Sequence, residues 1–399
     1  MKRAPRNAVY RLDHFRHAMN PGKEARVRAL LRVWREAAVL ESRYQWRRFF
    51  ETGSFEVSGP ARYGHLVMAY QHQMIRDQVV GQLEGWIRIR QKDFTRLVAR
   101  SNLDEALRHQ LHTVNRWRAW FSRNPVQMKD GTVVPDEVRA LARRIMRQIM
   151  GRHRRPTFGR IGMRIDVRGV KIQQARTSRA FSLWLRLMTT TRGQRIEVPL
   201  VPNRYALKRQ GAFRNTIQVT EREDGTLVFG LAQDVSNSYQ RQRKAYQPVT
   251  ERIALDFGLR TLFATDRGDL LGRGFMAPLA KLDRRITARA AHLQRMGRRP
   301  TSSKRYRRDV QRLRGFIRSE VNRVLNRIVE RDRPAHLVLE RPNFRAPGLS
   351  RRMNRLLQNC GRAVVRQKLQ DLEEKYGVAA TIVNAAYSSQ ECSACGYVD

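Results

Sequence analysis

The stretch IALDFG, residues 253–258, is a short aliphatic run that contains the carboxylate of Asp256 near its end. A similar run, HLVLE at residues 336–340, ends in Glu340. Short apolar runs bounded by turn signals are typical of buried strands. Because an acid is rarely buried in a core without a partner, we expect both carboxylates at strand ends that face a cleft. Helical patterns separate the two runs and follow the second, which predicts an α/β sheet.

The two acids indicate a metal site. Carboxylates on neighbouring strands could bind a divalent ion, and oxygen ligands with a phosphate substrate suit Mg²⁺. Two such ions about 3.5–4 Å apart activate water and stabilise the leaving oxygen when a phosphodiester is cleaved. The alternative is that each acid forms an ion pair with one of the many arginines.

The charge balance predicts a polyanionic partner. The chain has 80 Lys and Arg residues against 35 Asp and Glu, a net charge of +45. A folded chain with this excess repels itself unless a polyanion neutralises it, and nucleic acid does so with release of counterions. A GC-rich genome would explain the preference for Arg over Lys but not the excess itself. The charge is spread along the chain rather than confined to one amphipathic helix, so membrane binding is the weaker interpretation.

Composition excludes several other classes of protein. With 399 residues, 41% of them hydrophobic, the chain can form more than one core and is not wholly disordered. It has no apolar window long enough to cross a bilayer, and no apolar segment follows the basic start MKRAPR, so neither a spanning helix nor a secretory signal is expected. Three cysteines exclude a disulfide scaffold and favour a reducing cytoplasm.

The pattern of residues changes twice along the chain. After a strand-like stretch at 8–18, apolar residues at helical spacing predict four helices within 21–155. Residues 161–235 alternate like strands, with a hairpin signal at 224–225, and predict a small barrel, and the polar residues 236–250 that follow are predicted to be a linker. Strands and helices alternate again after that point. The predicted fold class is therefore multidomain α+β.

Three motifs, in order, carry a resemblance to a known family. IALDFGLR at 253–260, with LFAT at 262–265, resembles the first RuvC motif of the TnpB family and the related compact type V CRISPR effector nucleases. LVLERPNF at 337–344 resembles the second RuvC motif, and YSSQECSACGY at 387–397 resembles the opening knuckle of that family's zinc ribbon. The resemblance covers residues 251–399 and is looser over the rest of the chain.

The resemblance implies an RNase H-like domain that cuts DNA at a site chosen by a guide RNA. Asp256 and Glu340 would be two of three catalytic acids that bind Mg²⁺; in the family the third lies beyond a second Cys pair. Cys392 and Cys395 would be half of a tetrahedral Zn²⁺ site, so zinc is expected only with the segment that carries the second pair. A bacterial or archaeal protein, cytoplasmic and associated with the nucleoid when bound to DNA, is implied.

The same resemblance assigns a domain to each part of the chain. Residues 1–20 and 156–250 would form a wedge β-barrel that grips the guide scaffold, and residues 21–155 a helical recognition lobe. Residues 251–386 would form the RuvC-like nuclease domain with a basic helical insertion, and residues 387–399 the first half of the zinc ribbon.

Two segments are candidates for contact with nucleic acid. One helix lies where family members read a short duplex motif, and its Gln and Arg side chains can read base edges, although a solvated helix face is the alternative. The basic helical segment 279–330 has a polar face that is nearly all positive, which predicts a channel for the phosphates of an RNA–DNA heteroduplex. The candidate residues are Tyr70, Gln71, Gln73 and Arg76 on the first helix, and Arg284, Arg285, Lys304, Arg305, Arg307 and Arg308 on the second segment.

Four further side chains admit two interpretations each. Trp117 and Trp120 could stack on nucleic acid, but core packing is expected for Trp117. Cys360 lies on a predicted helix over 351–376 and is expected to be an ordinary buried or half-buried thiol. His336 is expected to pack rather than bind a metal.

These observations lead to one hypothesis and two alternatives. The chain is predicted to be a Mg²⁺-dependent, RNA-guided DNA endonuclease whose partners are a guide RNA and double-stranded target DNA. The first alternative is a guided DNA-binding protein that does not cut and acts as a repressor or transcription roadblock. The second is a structural RNA-binding protein, which would explain the charge but not the acids at the strand ends.

Overall fold

The computed structural model describes residues 8–175, 180–340, 343–344 and 348–383. Contacts divide the chain into two units, one that ends at Val235 and one that begins at Ser236. Helices and sheets occur in both units, in agreement with the predicted mixture of α and β structure.

The helical part of the first unit begins at Asn20, whose Oδ1 accepts a hydrogen bond from the Lys23 amide at 2.9 Å and caps the helix. Pro21 fits the first helical position because it has no amide hydrogen to leave unpaired. Four helices lie where apolar spacing predicts them. They are α1 (Pro21–Thr52), α2 (Ala69–Ala99), α3 (Glu105–Arg116) and α4 (Asp136–Gly151).

The strands of the first unit form two antiparallel sheets, with orders β1-β7-β6-β2 and β3-β4-β5. They are β1 (Tyr10–Phe15), β2 (Met163–Ile165), β3 (Val170–Gln174), β4 (Leu183–Met188), β5 (Arg195–Leu200), β6 (Ala212–Glu221) and β7 (Leu227–Asp234), with a short helix, α5 (Arg204–Lys208), between β5 and β6. A single bridge between His17 and Leu200 links the sheets without closing them. The prediction of a small barrel is therefore wrong for the part of the chain that the structure describes.

Residues 236–250, predicted to be a polar linker, instead begin with a helix, α6 (Ser236–Ala245). Tyr239 on this helix is buried, and its hydroxyl lies 3.4 Å from Oδ1 of Asp371. One buried aromatic ring is enough to hold a short polar helix against its neighbour, because tertiary packing contributes more to helix stability than intrinsic propensity. The polar composition of residues 236–250 gives no sign of this contact, which is why the sequence predicted a linker.

The second unit is built on one five-stranded sheet of order β10-β9-β8-β11-β12. Strands β8, β11 and β12 are parallel, and β9 and β10 are antiparallel to their neighbours. After α6 its elements are β8 (Thr250–Phe257), β9 (Phe263–Thr265), β10 (Leu270–Leu271), α7 (Met276–Arg295), a 3₁₀ turn (Pro300–Ser302), α8 (Lys304–Asp332), β11 (Pro334–Glu340), α9 (Arg351–Tyr376) and β12 (Ala379–Val383). The alternation of strands and helices predicted from residue 251 onward is confirmed.

The core of the second unit lies against one face of this sheet. Its strands contribute Ile253, Leu255, Leu337 and Leu339, all of which are buried. Buried aliphatic side chains of α8 and α9 complete the same core. One face of the sheet is therefore apolar and covered, and alternate residues of β8 and β11 point away from it.

A close contact between Phe344 and Gly361 holds the chain directly after β11 against α9. The Phe344 ring is fully buried and lies 4.3 Å, centroid to centroid, from Phe257 at the end of β8. A Cβ atom at Gly361 would overlap the Phe344 ring. The glycine is therefore required by the packing and not by the backbone conformation.

We expect Gly361→Ala to destabilise the second unit by about 1–3 kcal/mol, because the added methyl group overpacks the core. Gly315→Ala is the matched control, since it lies in α8 and the place that its methyl group would take has no atom within 4 Å. The control should stabilise the helix by about 0.5–1 kcal/mol. Urea unfolding, followed by hydrogen–deuterium exchange of α9 peptides, measures the stability of the second unit in both variants. Equal stability of the two variants would contradict the packing argument.

Candidate active site and nucleic-acid surfaces

Asp256 and Glu340 occupy corresponding positions on two adjacent parallel strands. The Cα partners of β8 and β11 run from Thr250 with Pro334 to Leu255 with Leu339. The next residue on each strand is the acid. Neighbouring strands lie about 4.8 Å apart, and residues in the same register share one face of a sheet. The register therefore brings the two carboxylates together.

The two acids point away from the apolar core. Leu255 and Leu339, which precede them, are 2% and 0% exposed and lie in the core. Because side chains alternate along a strand, Asp256 and Glu340 lie on the opposite face of the sheet. Asp256 is exposed and Glu340 is half-buried. A substrate can therefore approach the pair from solvent.

Neither carboxylate is neutralised by a cation within the described ranges. Over those residues, no ion pair or hydrogen bond of the Asp256 or Glu340 side chain is found. Other acids of this unit are paired, since Asp309 lies 2.9 Å from Arg289 and Asp269 is bound by Arg331. Among the residues that the structure describes, no arginine therefore binds either strand-end acid. Two adjacent carboxylates without a cation repel each other, and a divalent ion would relieve that repulsion.

The donor set fits a magnesium ion better than a softer metal. Mg²⁺ is usually held by one or two carboxylates, with water and substrate phosphate as the other ligands. Within the described part of the chain, no three His, Cys, Asp or Glu side chains are close enough together to hold a metal. The described residues therefore offer two carboxylates to such an ion, and metal binding by them stays a prediction. Cys392 and Cys395, the predicted zinc ligands, lie outside the described residues.

Two other candidate ligands have different roles. His336 lies on the same face as Glu340, but its Nε2 is 2.8 Å from Oγ1 of Thr381 on β12. Cys360 is a half-buried free thiol, and burial raises its pKa, so it is a poor thiolate ligand at neutral pH. Both observations agree with the structural roles expected from the sequence.

The helix predicted to read duplex DNA turns several of its polar side chains inward. Arg76 on α2 is completely buried and donates hydrogen bonds to the backbone carbonyls of Gly59 and Pro60, at 2.8 and 2.7 Å. Gln71 is buried and donates to the Thr189 carbonyl at 3.1 Å. Buried groups that satisfy backbone carbonyls have no free edge for a base. In this structure Gln71 and Arg76 are therefore internal residues, which corrects their placement on the binding surface.

The remaining two candidates on this helix are half-buried. Burial raises the pKa of Tyr70, and the nearby Asp166 raises it further. Gln73 donates to the carbonyl of Val57 at 3.1 Å and to Asp77 at 2.7 Å. Both residues keep part of their surface in solvent, and base reading by either stays a prediction.

Glu41 on α1 is the centre of the buried network that holds Arg76. Its carboxylate lies 2.9 Å from His72 Nε2, 2.7 Å from Gln45 Nε2 and 3.5 Å from Arg76 Nε. Burial alone raises the pKa of Glu41, but hydrogen bonds from His72 and Gln45 and the charges of His72 and Arg76 outweigh it. The result is a lowered pKa. The network joins α1, α2 and the loop that contains Gly59.

We expect Glu41→Gln to destabilise the first unit by about 1–3 kcal/mol at neutral pH, because buried Arg76 then keeps only Glu56, at 3.7 Å, as a countercharge. The lowered pKa makes this stabilisation present above about pH 4.3 and lost as the pH falls through the folded-state pKa. The variant should lack that part of the pH dependence. Urea unfolding followed by tryptophan fluorescence reports this unit, since all six tryptophans lie in it.

The control for this measurement is Glu36→Gln, an exposed glutamate on the same helix. Its effect should stay within about 0.5 kcal/mol, as for ordinary surface substitutions. Equal unfolding curves for the two variants at every pH would show that the Glu41 network does not stabilise the unit.

The two tryptophans near the end of α3 have opposite environments. Trp120 is completely buried, whereas Trp117 is 69% exposed. The expectation that Trp117 packs in the core is therefore wrong. The apolar face of α3 includes Leu111 and Val114, and Trp117 continues their spacing, but the helix ends at Arg116 and the next residues turn away.

The basic helical segment 279–330 forms α7 and α8, and most of its candidate residues face solvent. Arg284 and Arg285 on α7 and Lys304, Arg305 and Arg308 on α8 are exposed. Arg307 is half-buried and donates to the carbonyl of Thr301 at 2.7 Å. Asp309 is fully buried and attracts Arg285 and Arg289 at 3.7 and 2.9 Å. Some arginines therefore hold α7 to α8, and the others remain available to phosphates.

Sequence reasoning missed a polar row on the first turns of α9. Its members line a cavity of about 430 Å³ and are Arg351, Asn354, Arg355, Gln358 and Asn359. They lie opposite the buried Met353 and Leu357 at spacings of three and four residues. The spacing of these Arg and amide side chains, beside an apolar stripe, is the feature of the sequence that could have predicted the row.

No family model matches the chain, and no curated protein matches it. Solved structures do match. One is a cryo-EM structure of a Cas12f1–sgRNA–target DNA complex, with a TM-score of 0.41 and 11% identity over 99% of this chain and 93% of that one. Another is a cryo-EM structure of CasPhi-2 (Cas12j) bound to crRNA, with a TM-score of 0.49 and 9% identity over 98% of this chain and 93% of that one.

The chain is similar, over nearly its whole length, to compact type V effectors. This is the class that the three motifs resemble. Because both TM-scores are below 0.5, the fold and the activity are argued from the chain's own residues. In the described residues, no helix is both long and apolar enough to span a membrane.

Proposed function

We propose that this protein is an RNA-guided, Mg²⁺-dependent DNA endonuclease of the TnpB or compact type V kind. The observation that carries the proposal is the pair Asp256 and Glu340, adjacent on one face of the sheet and without a cationic partner within the described residues. In a chain with a net charge of +45, two neighbouring acids without an arginine indicate a site kept for a metal ion.

The topology of the second unit supports the same proposal. The first acid lies near the end of a central strand, β8, and the second is the last residue of β11, which is parallel to β8 and beside it. Antiparallel β9 and β10 extend the sheet on one side and parallel β12 on the other. This arrangement agrees with the RNase H-like domain that the motifs imply, in which acids from neighbouring strands bind the metal.

The chemistry divides between the ion and the side chains. A bound Mg²⁺ supplies activation of water and stabilisation of the leaving oxygen in phosphodiester hydrolysis. Asp256 and Glu340 hold and orient the metal through their carboxylate oxygens. The exposed position of Asp256 leaves the face open to a phosphodiester. The third acid of the family and the zinc ribbon that begins with Cys392 and Cys395 remain part of the proposal.

Phosphate binding is assigned to exposed arginines of α7 and α8. A guide–target heteroduplex is held through its backbone, so the contacts need positive charge and not base recognition. Arg305 and Arg308 are exposed and one helical turn apart. The polar row on α9 adds Arg351 and Arg355 to the cationic side chains of this unit.

We expect Asp256→Ala and Glu340→Gln each to abolish DNA cleavage in Mg²⁺ while leaving guide-RNA binding intact, because each removes a metal ligand at the protein surface. Cleavage of guide-matched plasmid DNA and RNA binding by filter assay measure the two activities. Asp269→Asn is the matched control, since it removes an acid of the same unit that is already bound to Arg331. The control should cut at the rate of the unmodified protein.

Three outcomes would contradict the proposal in different ways. Cleavage by the Asp256→Ala variant would show that the catalytic metal does not depend on the acids of β8 and β11. Guide-dependent DNA binding without cleavage by the unmodified protein would support the alternative of a binding protein that acts as a transcription roadblock. Absence of any guided DNA binding would leave only RNA binding.

We expect Arg305→Gln and Arg308→Gln to weaken nucleic-acid binding and to make it less sensitive to salt. Each lost phosphate contact lowers the slope of log K against log salt concentration by about 0.7–0.9. Arg331→Gln is the control of equal charge change, because Arg331 is bound by Asp269 and Asp332. Fluorescence anisotropy over a salt series measures the slopes. Equal slopes for all three variants would show that the effect is one of net charge only.

A further inference from the structure

Trp117, which directly follows α3, is one of the most exposed large hydrophobic side chains in the described part of the chain. Its side chain is 69% exposed, and no hydrogen bond or ring contact of the indole is found among the described residues. Large aromatic rings dominate burial in cores and interfaces, so a tryptophan left in water calls for a partner. Trp120, three residues later, is completely buried and fixes the chain that follows.

The backbone that presents Trp117 is held in a strained turn. Arg118, the next residue, has a φ of +55°, a conformation that residues with a side chain rarely adopt. Its guanidinium bonds to Glu84 at 2.7 Å and to Gln91 at 3.3 Å on α2. Gln91 in turn donates to the carbonyl of Asn115 at 2.7 Å. Hydrogen bonds to α2 therefore hold the backbone on both sides of Trp117, and they keep the indole in its exposed position.

The helix that leads to Trp117 carries a row of basic side chains, of which the two arginines are cations at neutral pH. Arg108, His112 and Arg116 follow one another at intervals of four residues and share one side of α3. Burial lowers the pKa of His112, and the neighbouring His109, Arg108 and Arg116 lower it further, so these groups lie within electrostatic range of one another. Arg116 is exposed and has no ion pair within the described ranges. The acids of α3, Asp104 and Glu105, lie at the opposite end of the helix.

We infer that Trp117 is a stacking platform for an unpaired nucleobase, and that the cations of α3 bind the phosphates beside that base. Exposed Trp117 directly follows exposed Arg116, so a ring and a cation adjoin in the chain, as a flat base and a charged phosphate do along a single strand. A protein partner would instead be expected to meet a broader apolar patch than one ring. The ligand, nucleic acid, rests on the proposed function, but the stacking contact requires no cleavage chemistry.

The base could belong to the guide RNA or to a DNA strand separated during targeting. Stacking on an aromatic ring tolerates every base, because each has a π face, so the contact selects an unpaired base and not a sequence. The shared chemistry is therefore a single-stranded nucleobase with its flanking phosphates. Homopolymeric RNA and DNA strands distinguish the two sources.

The test compares the full-length proteins Trp117→Ala, Trp117→Phe and Ile89→Ala in binding to short fluorescent homopolymers of RNA and DNA. Trp117→Ala should weaken binding to one or both strands by about tenfold or more, whereas Trp117→Phe keeps a stacking face and should stay within about threefold. Ile89, which is 53% exposed on α2, is the control for loss of an exposed apolar side chain and should bind normally. A loss on RNA alone assigns the contact to the guide, and a loss on DNA alone to the target.

The salt dependence separates stacking from charge. Trp117→Ala should leave the slope of log K against log salt concentration unchanged, whereas Arg116→Gln should lower it by about 0.7 on a single strand. Photo-cross-linking of strands that contain 5-iodouracil to the unmodified protein, mapped by mass spectrometry, should give an adduct at Trp117. This second measurement does not depend on the folding of any variant.

Three outcomes would overturn the inference: unchanged binding by Trp117→Ala on both strands, equal losses for the Ala and Phe variants, or cross-links elsewhere but none at Trp117. These failures are distinct from failure of the proposed function. Failure of the unmodified protein to bind either strand would contradict both the stacking contact and the proposed function. Cleavage by Asp256→Ala would refute the nuclease site and leave the stacking contact standing.

Discussion

The pairing of β8 with β11 is the constraint on which the second unit depends. Because side chains alternate along a strand, a shift of one residue between these strands would send Glu340 to the covered face and separate it from Asp256. The buried residues Leu255 and Leu339 fix the register, since each must lie in the core. The hydrophobic pattern therefore does more than stabilise the sheet. It decides which side of the sheet receives the acids.

The arginines of this chain serve two purposes that composition alone does not separate. Arg76 and Arg289 are used internally, where each neutralises a buried acid, Glu41 or Asp309. Both acids are fully buried and each contacts a neighbouring helix through its arginine, so these pairs join helices rather than bind ligands. Arginines such as Arg308 stay in water. The charge available to a polyanion is consequently smaller than the net charge of the whole chain.

The sequence predicted the elements well wherever an apolar period was long, and failed where tertiary contacts decide. Asn20 and Pro21 mark the start of α1, and the runs that hold Asp256 and Glu340 are strands. The inward direction of Arg76 depends on carbonyls of a loop sixteen and seventeen residues earlier, which no helical period reveals. The exposure of Trp117 likewise depends on where α3 stops. Closure of a barrel depends on long-range pairing, which alternation cannot predict.

Burial also decides which side chains of the first unit could contact a ligand. Arg76 holds the loop around Gly59 against α2, so mutating it would alter that loop even though the guanidinium meets no ligand. A loss of DNA binding in such a variant would therefore be evidence of a positioning role and not of base contact. Trp117 presents the reverse case, because its removal exposes no core and leaves the braced turn of Arg118 in place. A loss of binding on substitution of Trp117 would therefore report a contact with the ligand rather than a change in the fold.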